Sequence, residues 1–331
     1  MINLDITTKN SVYNTLGAQS QWVQHRFGKR DYPKTEIDLT LINKILHHTD
    51  DTVHFTSIFG DPTSHSQFLE VLNATSHGKN VISTNLNFAD DRIIEAFNKQ
   101  QSYLVVPLYG IEDLCDKIVL KSNWEVILDN LKKLECAVCV EFYVFEHNIH
   151  QLDHIKSIAK DLNFDLKIKK GVALHPKGFS PIVDYNGNWL YDVYSCNETT
   201  QKITWSGLHK TVKGYNSLIH FIKPTTGRNI LNNPFIYKVD NKHCYDDNLS
   251  ISATGHVFPS FEMHQTFSNA LCTDWNLSFA NIVGYDKITV REDLKHQCAI
   301  LTNVLKFLEI GNNLYKKDLS DILSDFANSN I

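Results

Sequence analysis

From residue 11 to about residue 175, short runs of β-branched and apolar residues alternate with longer stretches whose apolar positions recur at helical spacing. The runs Ser11–Leu16, Val53–Phe59, Asn80–Thr84, Tyr103–Leu108, Cys136–Phe145 and Leu166–Val172 predict strands. The stretches near Leu39–His47, Ser66–Ser76, Asp90–Gln100, Trp124–Leu134 and Leu152–Leu162 predict helices. Asp38, Ser64, Asp90 and Ser122 stand where N-caps are wanted, since a short polar side chain there accepts from unpaired first-turn N–H groups. Six strands alternating with five helices imply parallel pairing through right-handed crossovers. The class is α/β, and both a doubly wound sheet and a partial barrel fit.

After His175-Pro176 the pattern changes. Two apolar runs flank Asn186-Gly187, a strong hairpin signal because both residues tolerate positive φ. A helix is expected near His209–Ile222, then a connector over Lys223–Pro234. A second β pair, Leu249–Ala253 and His256–Phe258, is joined by Thr254-Gly255, and helices over Arg291–Glu309 and Leu314–Phe326 follow. The boundary is placed near Pro176, giving a first domain over residues 1–176 and an extension over 177–331. No repeat and no low-complexity tract is present.

Composition narrows the partners. Lys and Arg total 32 against 37 for Asp and Glu, so there is no basic excess and no nucleic-acid partner is expected. No apolar run approaches the roughly 18 residues of a membrane helix. The start, Met1-Ile2-Asn3-Leu4-Asp5, lacks the basic and apolar regions of a signal peptide, so a soluble, cytoplasmic protein is expected. The 7 cysteines are an odd number and widely spread, which argues against a disulfide framework. Cys136 and Cys139 form a CxxC inside a predicted strand, where residues three apart face opposite ways. They are expected to be small core residues, not a metal or redox pair.

The stretch Phe59-Gly60-Asp61-Pro62, with His65 and the amphipathic stretch after it, resembles the Gly-Gly-Glu-Pro turn, histidine and helix of radical S-adenosylmethionine (SAM) enzymes. Ser83-Thr84-Asn85 is similar to the end of that family's next strand. Tyr109–Asp113 and Ser122–Lys132 resemble its fourth crossover. The resemblance covers roughly residues 10–175 and implies a partial (β/α)6 TIM-like barrel. Cys244, the hairpin Ile251-Ser252…Gly255…Val257 and Pro259 resemble the SPASM or twitch extension of peptide-modifying members, which implies a C-terminal β-hairpin and helical extension.

The family's reaction needs three thiolates of a CxxxCxxC loop to hold a [4Fe–4S] cluster, because that cluster is built on soft iron–sulfur bonding. Setting Arg26 on the family's arginine puts Gly17, Gln21 and Gln24 at those positions, and the first cysteine of the chain is Cys115. No iron–sulfur cluster is therefore expected. Ser260 replaces the cysteine of the tail's Pro-Cys, leaving Cys244 and Cys272. With His243, His256 and His264 nearby these form only a weak zinc candidate, their spacing following no standard pattern.

What the resemblance leaves is a SAM site at Gly60, Asp61, Pro62, Ser83, Thr84 and Asn85. Asp61, Glu141 and His175 are candidates for acid–base work, and Trp22 and Arg26 for stacking and pairing with an anionic or nucleotide-like ligand. Glu146, just past the fifth predicted strand, could pair with Glu141 and Asp61 as carboxylates for the acid–base work. His147, His150 and His154 lie near a helix start, where the i, i+4 pair His150 and His154 could share a metal but reads more simply as a solvated helix face. The expectation is a degenerate radical-SAM-like binding protein without radical chemistry. Its partner is a peptide, a small molecule such as a nucleotide-sugar-like metabolite, or a catalytic subunit. The rivals are an enzyme that reuses the barrel mouth with SAM or a metal, and a structural subunit of an assembly.

Overall fold

The computed structural model describes residues 2–10, 12–14, 35–47, 52–56, 60–171, 179–183, 188–196, 249–253, 256–258 and 280–281. The first part of the chain carries β1 (Ile2–Leu4), β2 (Tyr13–Asn14), α1 (Leu39–His47), β3 (Val53–Phe55), α2 (Phe68–Asn73) and β4 (Asn80–Ser83). It continues with α3 (Asp91–Gln100), β5 (Tyr103–Leu108), α4 (Asp113–Ile118), β6 (Val119–Leu120), α5 (Trp124–Lys133), β7 (Ala137–Val144), α6 (Leu152–Asp161) and β8 (Asp165–Lys170). Then come β9 (Phe179–Val183), β10 (Trp189–Tyr194), β11 (Leu249–Ile251), β12 (His256–Phe258) and β13 (Ala280–Asn281). The chain forms two compact units.

One unit comprises Ile6–Thr35 and His54–Leu208. Its sheet is parallel: β4 pairs with β5, β5 with β7 and β7 with β8, the registers including Ser83↔Val105, Val105↔Cys139 and Tyr143↔Lys169. Strands alternate between a fully buried face and a half-buried one. Ile82, Leu104, Val106, Leu108, Val138, Val140, Phe142 and Val144 are buried, as are Ile93, Ile94, Phe97, Ile127, Leu131 and Ile155 of the crossover helices. Each such side chain contributes about 1.5–3 kcal/mol on leaving water, so this apolar layer is what stabilises the ladder. Asp90 caps α3 as expected, its Oδ1 accepting from Ile93 N at 3.0 Å. Asp38 Oδ1 likewise accepts from Thr40 N at 2.8 Å.

Two caps fall elsewhere. Asn123, not Ser122, caps α5, accepting from the backbone of Glu125 and Val126, while Ser122 is bonded to Asn87. Ser64 lies in a 3-10 turn over Pro62–Ser64 that Asp61 caps. The predicted hairpin is present as the antiparallel pair β9–β10, and Phe145 bridges to Ser195. The helix α4 and the two-residue β6 are additions, too short for periodicity to mark.

The largest correction concerns the first strand. Of the predicted Ser11–Leu16, the described strand is Tyr13–Asn14, and it pairs antiparallel with Val119–Leu120 rather than entering the parallel ladder. The N-terminal strand that makes parallel pairs is Ile2–Leu4, in the unit of Met1–Asp5, Glu36–Val53 and His209–Ile331. There β1 pairs in parallel with β11, β11 antiparallel with β12, and β12 antiparallel with β13. The physical cause is alternation: Leu4 and Ile6 are fully buried on one side, while Asn3 and Asp5 are buried on the other. The helices expected near 209–222, 291–309 and 314–326 lie outside the described residues.

Candidate functional site

Gly60 opens the turn that resembles the family's glycine-proline motif. A Cβ there would collide with the Thr7 carbonyl oxygen and meet that of Lys9 at 2.6 Å, so only glycine allows this approach. Asp61 N donates to Lys9 O at 2.9 Å, fixing the turn against residues 7–9. The Asp61 carboxylate turns inward and is 1% exposed. Its Oδ1 accepts from Thr63 N at 3.0 Å and Thr63 Oγ1 at 2.6 Å, which closes the 3-10 turn.

The same carboxylate reaches the carboxyl end of β4. Thr84 Oγ1 donates to it at 3.0 Å and Asn85 N donates to Oδ2 at 2.7 Å. Burial pushes the Asp61 carboxyl above its ordinary range, against the pull of these hydrogen bonds. Thr84 Oγ1 also accepts from Leu86 N at 3.2 Å, and Asn85 Oδ1 from Asn87 N at 2.9 Å. The Asp61 carboxylate is thus the shared acceptor of Thr84 Oγ1 and Asn85 N, and the Asp61 and Pro62 carbonyls accept from Ser64 N and His65 N. His65 Nδ1 accepts from Gln67 N at 3.1 Å, at the entry to α2.

A second group lies on the half-buried face of the parallel sheet. His54 Nε2 and Ser83 Oγ share a hydrogen bond of 2.8 Å between β3 and β4. Burial lowers His54 to about 4, the Glu141 charge opposing it, so its imidazole is neutral at pH 7. Glu141 accepts from Lys169 Nζ at 2.6 Å and from the Tyr143 hydroxyl at 3.2 Å. The Tyr143 ring stacks on Tyr109 at 5.0 Å, and Lys169 Nζ stands 5.6 Å from the Tyr143 centroid. The result is a row of one base, one hydroxyl, one carboxylate, one ammonium and two stacked phenols.

Of these, Glu141 and Ser83 were legible as candidates, while His54, Lys169, Tyr109 and Tyr143 were not singled out. Their signal is a polar residue inside an apolar strand and alternate lysines in Asp165–Lys170. His175, Cys244, His264, Cys272, Trp22, Arg26, Gly17, Gln21 and Gln24 lie outside the described residues. His256 is on β12, where its backbone pairs with Asn281. Among the described residues no group of three or more His, Cys, Asp or Glu could hold a metal ion. His154 turns to Glu112 at 3.5 Å, and His147 stacks on Phe145 at 5.7 Å between centroids. Cys136 and Cys139 are free and buried. No helix among the described residues is long and apolar enough to cross a membrane.

No protein-family model matches the chain, and no curated protein matches it in sequence. Solved structures do match it. SuiB of Streptococcus suis bound to precursor peptide SuiA superposes with a TM-score of 0.51 at 12% identity, over 83% of this chain and 61% of that one. SuiB bound to SAM gives 0.49 at 12% identity over 78% and 60%, and anSMEcpe with bound AdoMet gives 0.49 at 12% over 93% and 84%. The chain therefore spans about 60% of the length of the SuiB chains. SuiB is a radical SAM enzyme, and the match at 0.51 shows that the parallel α/β fold is shared.

Proposed function

Starting from a chain with the radical SAM fold, we propose that it binds a peptide or small molecule without a [4Fe–4S] cluster and without radical chemistry. The observation that carries this reading is the cysteine inventory: the first is Cys115. That thiol is buried on α4 beside Ser122, and burial raises it to about 11, the opposite of what a thiolate ligand requires. With β1 at Ile2–Leu4, the loop register of Gly17, Gln21 and Gln24 has an earlier competitor at Asn10, Asn14 and Gly17. Neither offers a thiolate, so the donor set does not fit an iron–sulfur cluster.

In this reading the parallel strands belong to a partial (β/α)6 barrel, and residues 177–331 form an eroded SPASM- or twitch-like extension. Support comes from the ladder β4-β5-β7-β8 and from the antiparallel β11–β12 pair. The ligand sits on the half-buried face. Glu141 and Lys169 offer one charge of each sign, Tyr109 and Tyr143 a flat apolar wall, and His54 and Ser83 a neutral polar pair. That set suits a group carrying both an ammonium and a carboxylate, as a peptide segment or an amino-acid moiety does. SuiB takes a precursor peptide, which agrees with a peptide here.

SAM also carries an amino-acid moiety. Of the positions assigned to it, the Asp61 carboxylate takes hydrogen bonds from Thr84 Oγ1 and Asn85 N, and Ser83 Oγ shares one with His54, so the turn backbone at Gly60 would be its contact. The enzymatic alternative rests on His54 beside Ser83, a base next to a hydroxyl. The neighbouring backbone donors are committed, Thr84 N to Val105 O and Asn85 N to Asp61, so among the described residues no oxyanion site adjoins Ser83. Asp61 acts here as a positioning residue.

The test is a thermal-shift and calorimetric screen of SAM, nucleotides, divalent metals and lysine- and glutamate-containing peptides. A saturable response to SAM or a peptide, lost in both Glu141→Gln and Lys169→Met, is expected. A response unchanged in both variants contradicts the site.

A further inference from the structure

A separate feature stands at the end of β1. Asn3 pairs with Ser250 and Leu4 with Ile251 in parallel register, and Asp5 N donates to Ile251 O at 2.8 Å. Continuing that register places Asp5 beside Ser252. Asn3, Asp5, Ser250 and Ser252 therefore share one side of two adjacent strands, and all four are buried. Leu4, Ile6 and Ile251 occupy the other side, each fully buried. A sheet position buried on both sides ordinarily carries an apolar residue. Here one side carries an amide, a carboxyl and two hydroxyls.

Asp5 is the exceptional member. It is 1% exposed, and neither carboxylate oxygen has a hydrogen-bond partner. Burial raises its ionisation well above the ordinary carboxylate range, and no cation among the described residues opposes that. Protonation does not resolve the problem. A neutral carboxyl has one O–H to donate and a carbonyl oxygen to satisfy, and neither finds a protein partner. Among the described residues nothing supplies a donor or a cation to either oxygen, so the pair is open to one from outside them.

We propose that Asp5 anchors a buried binding site for a single positive charge, flanked by Asn3, Ser250 and Ser252. The donors are all hard oxygens, which suit an ammonium group or an alkali cation and not a soft metal. One carboxylate balances one charge, whereas divalent sites gather several carboxylates. The shared chemistry is a monocation, from either a ligand's protonated primary amine or a free alkali ion. This inference does not depend on the function proposed above, because none of its residues belongs to that row.

The experiment uses the full chain and an Asp5→Asn variant, melted at pH 7.5 in tetramethylammonium chloride, a cation too bulky to fit. Sodium, potassium or methylammonium chloride then replaces it at constant ionic strength. The wild type should show a saturable rise in melting temperature with at least one small cation, as linkage requires. In Asp5→Asn the apparent affinity should fall at least tenfold. A response to methylammonium alone identifies an amine ligand, and one to sodium or potassium an ion site. Identical melting in all salts, or an equal response in Asp5→Asn, overturns the proposal. If Asp5→Asn does not fold, infrared spectra of wild type with carbon-13-labelled aspartate decide. The protonated-carboxyl band should lose intensity when the small cation is added, the buried Asp61 carboxyl contributing equally before and after, and an unchanged band overturns the site.

Discussion

The carboxylate of Asp61 accepts from Thr84 Oγ1 and from Asn85 N, and so ties the turn after β3 to the carboxyl end of β4. The bond joins two segments that the family resemblance treats as separate ligand contacts. In this chain they hold one another. A turn that keeps its shape through its own side chains does not depend on a bound cofactor for order.

Asp61→Asn should therefore behave as a stability variant. It replaces an acceptor with a donor amide facing Thr63, Thr84 and Asn85, and each stranded buried donor costs about 1–3 kcal/mol. Urea denaturation should show a loss of at least about 2 kcal/mol. A midpoint equal to wild type would mean that the hydrogen bonds contribute nothing net.

The Glu141–Lys169 pair predicts measurable coupling. Lys169 Nζ is 2.6 Å from Glu141 Oε2, and the Glu141 side chain is only 14% exposed. Surface pairs contribute about 0–1 kcal/mol, and this one is better shielded. A double-mutant cycle with Glu141→Gln and Lys169→Met should return about 1–2 kcal/mol of interaction. Additive losses would show that the two charges do not sense each other.

Acid should weaken the fold through two histidines. His54 and His147 are both lowered by burial to about 4, against an ordinary value of 6.5. The unfolded chain then binds more protons than the folded one between these values. Stability from neutral imidazoles is full above pH 6.5 and is lost as pH falls toward 4. Asp5 and Asp61 act in the opposite sense, since their raised carboxyls favour the folded state at low pH. The histidine part is isolated by subtraction: His54→Gln should flatten the slope of stability between pH 6.5 and about 4. An unchanged slope would mean that His54 does not titrate differently on folding.

Much of this architecture was legible. Tyr103–Leu108 is a strand over the expected residues because its alternation is unbroken, and α3 begins where Asp90 marks a cap. What escaped had weak local signals. Ile2–Leu4 is three residues long, and its parallel partner Leu249–Ile251 lies far along the chain, so no local pattern connects them. Ser122 and Asn123 are both good caps, and the choice was made by Asn87, whose side chain bonds Ser122 and accepts from Asn123 N. In the candidate site, Ser83, Thr84 and Asn85 stood out by type. The reach of Asp61 to Thr84, across 23 positions, is a tertiary fact. His54 went unnoticed because a single histidine in a short apolar strand reads as a core residue until its partner on β4 is known.

The proposed use of this fold without a cluster is open to test by anaerobic reconstitution of the full chain with iron and sulfide, followed by desalting. The cysteine inventory predicts no stoichiometric iron and no visible charge-transfer absorbance, the first cysteine being Cys115. Stoichiometric iron and sulfide that survive desalting, and that persist when Cys115, Cys244 and Cys272 are each replaced by serine, would contradict it.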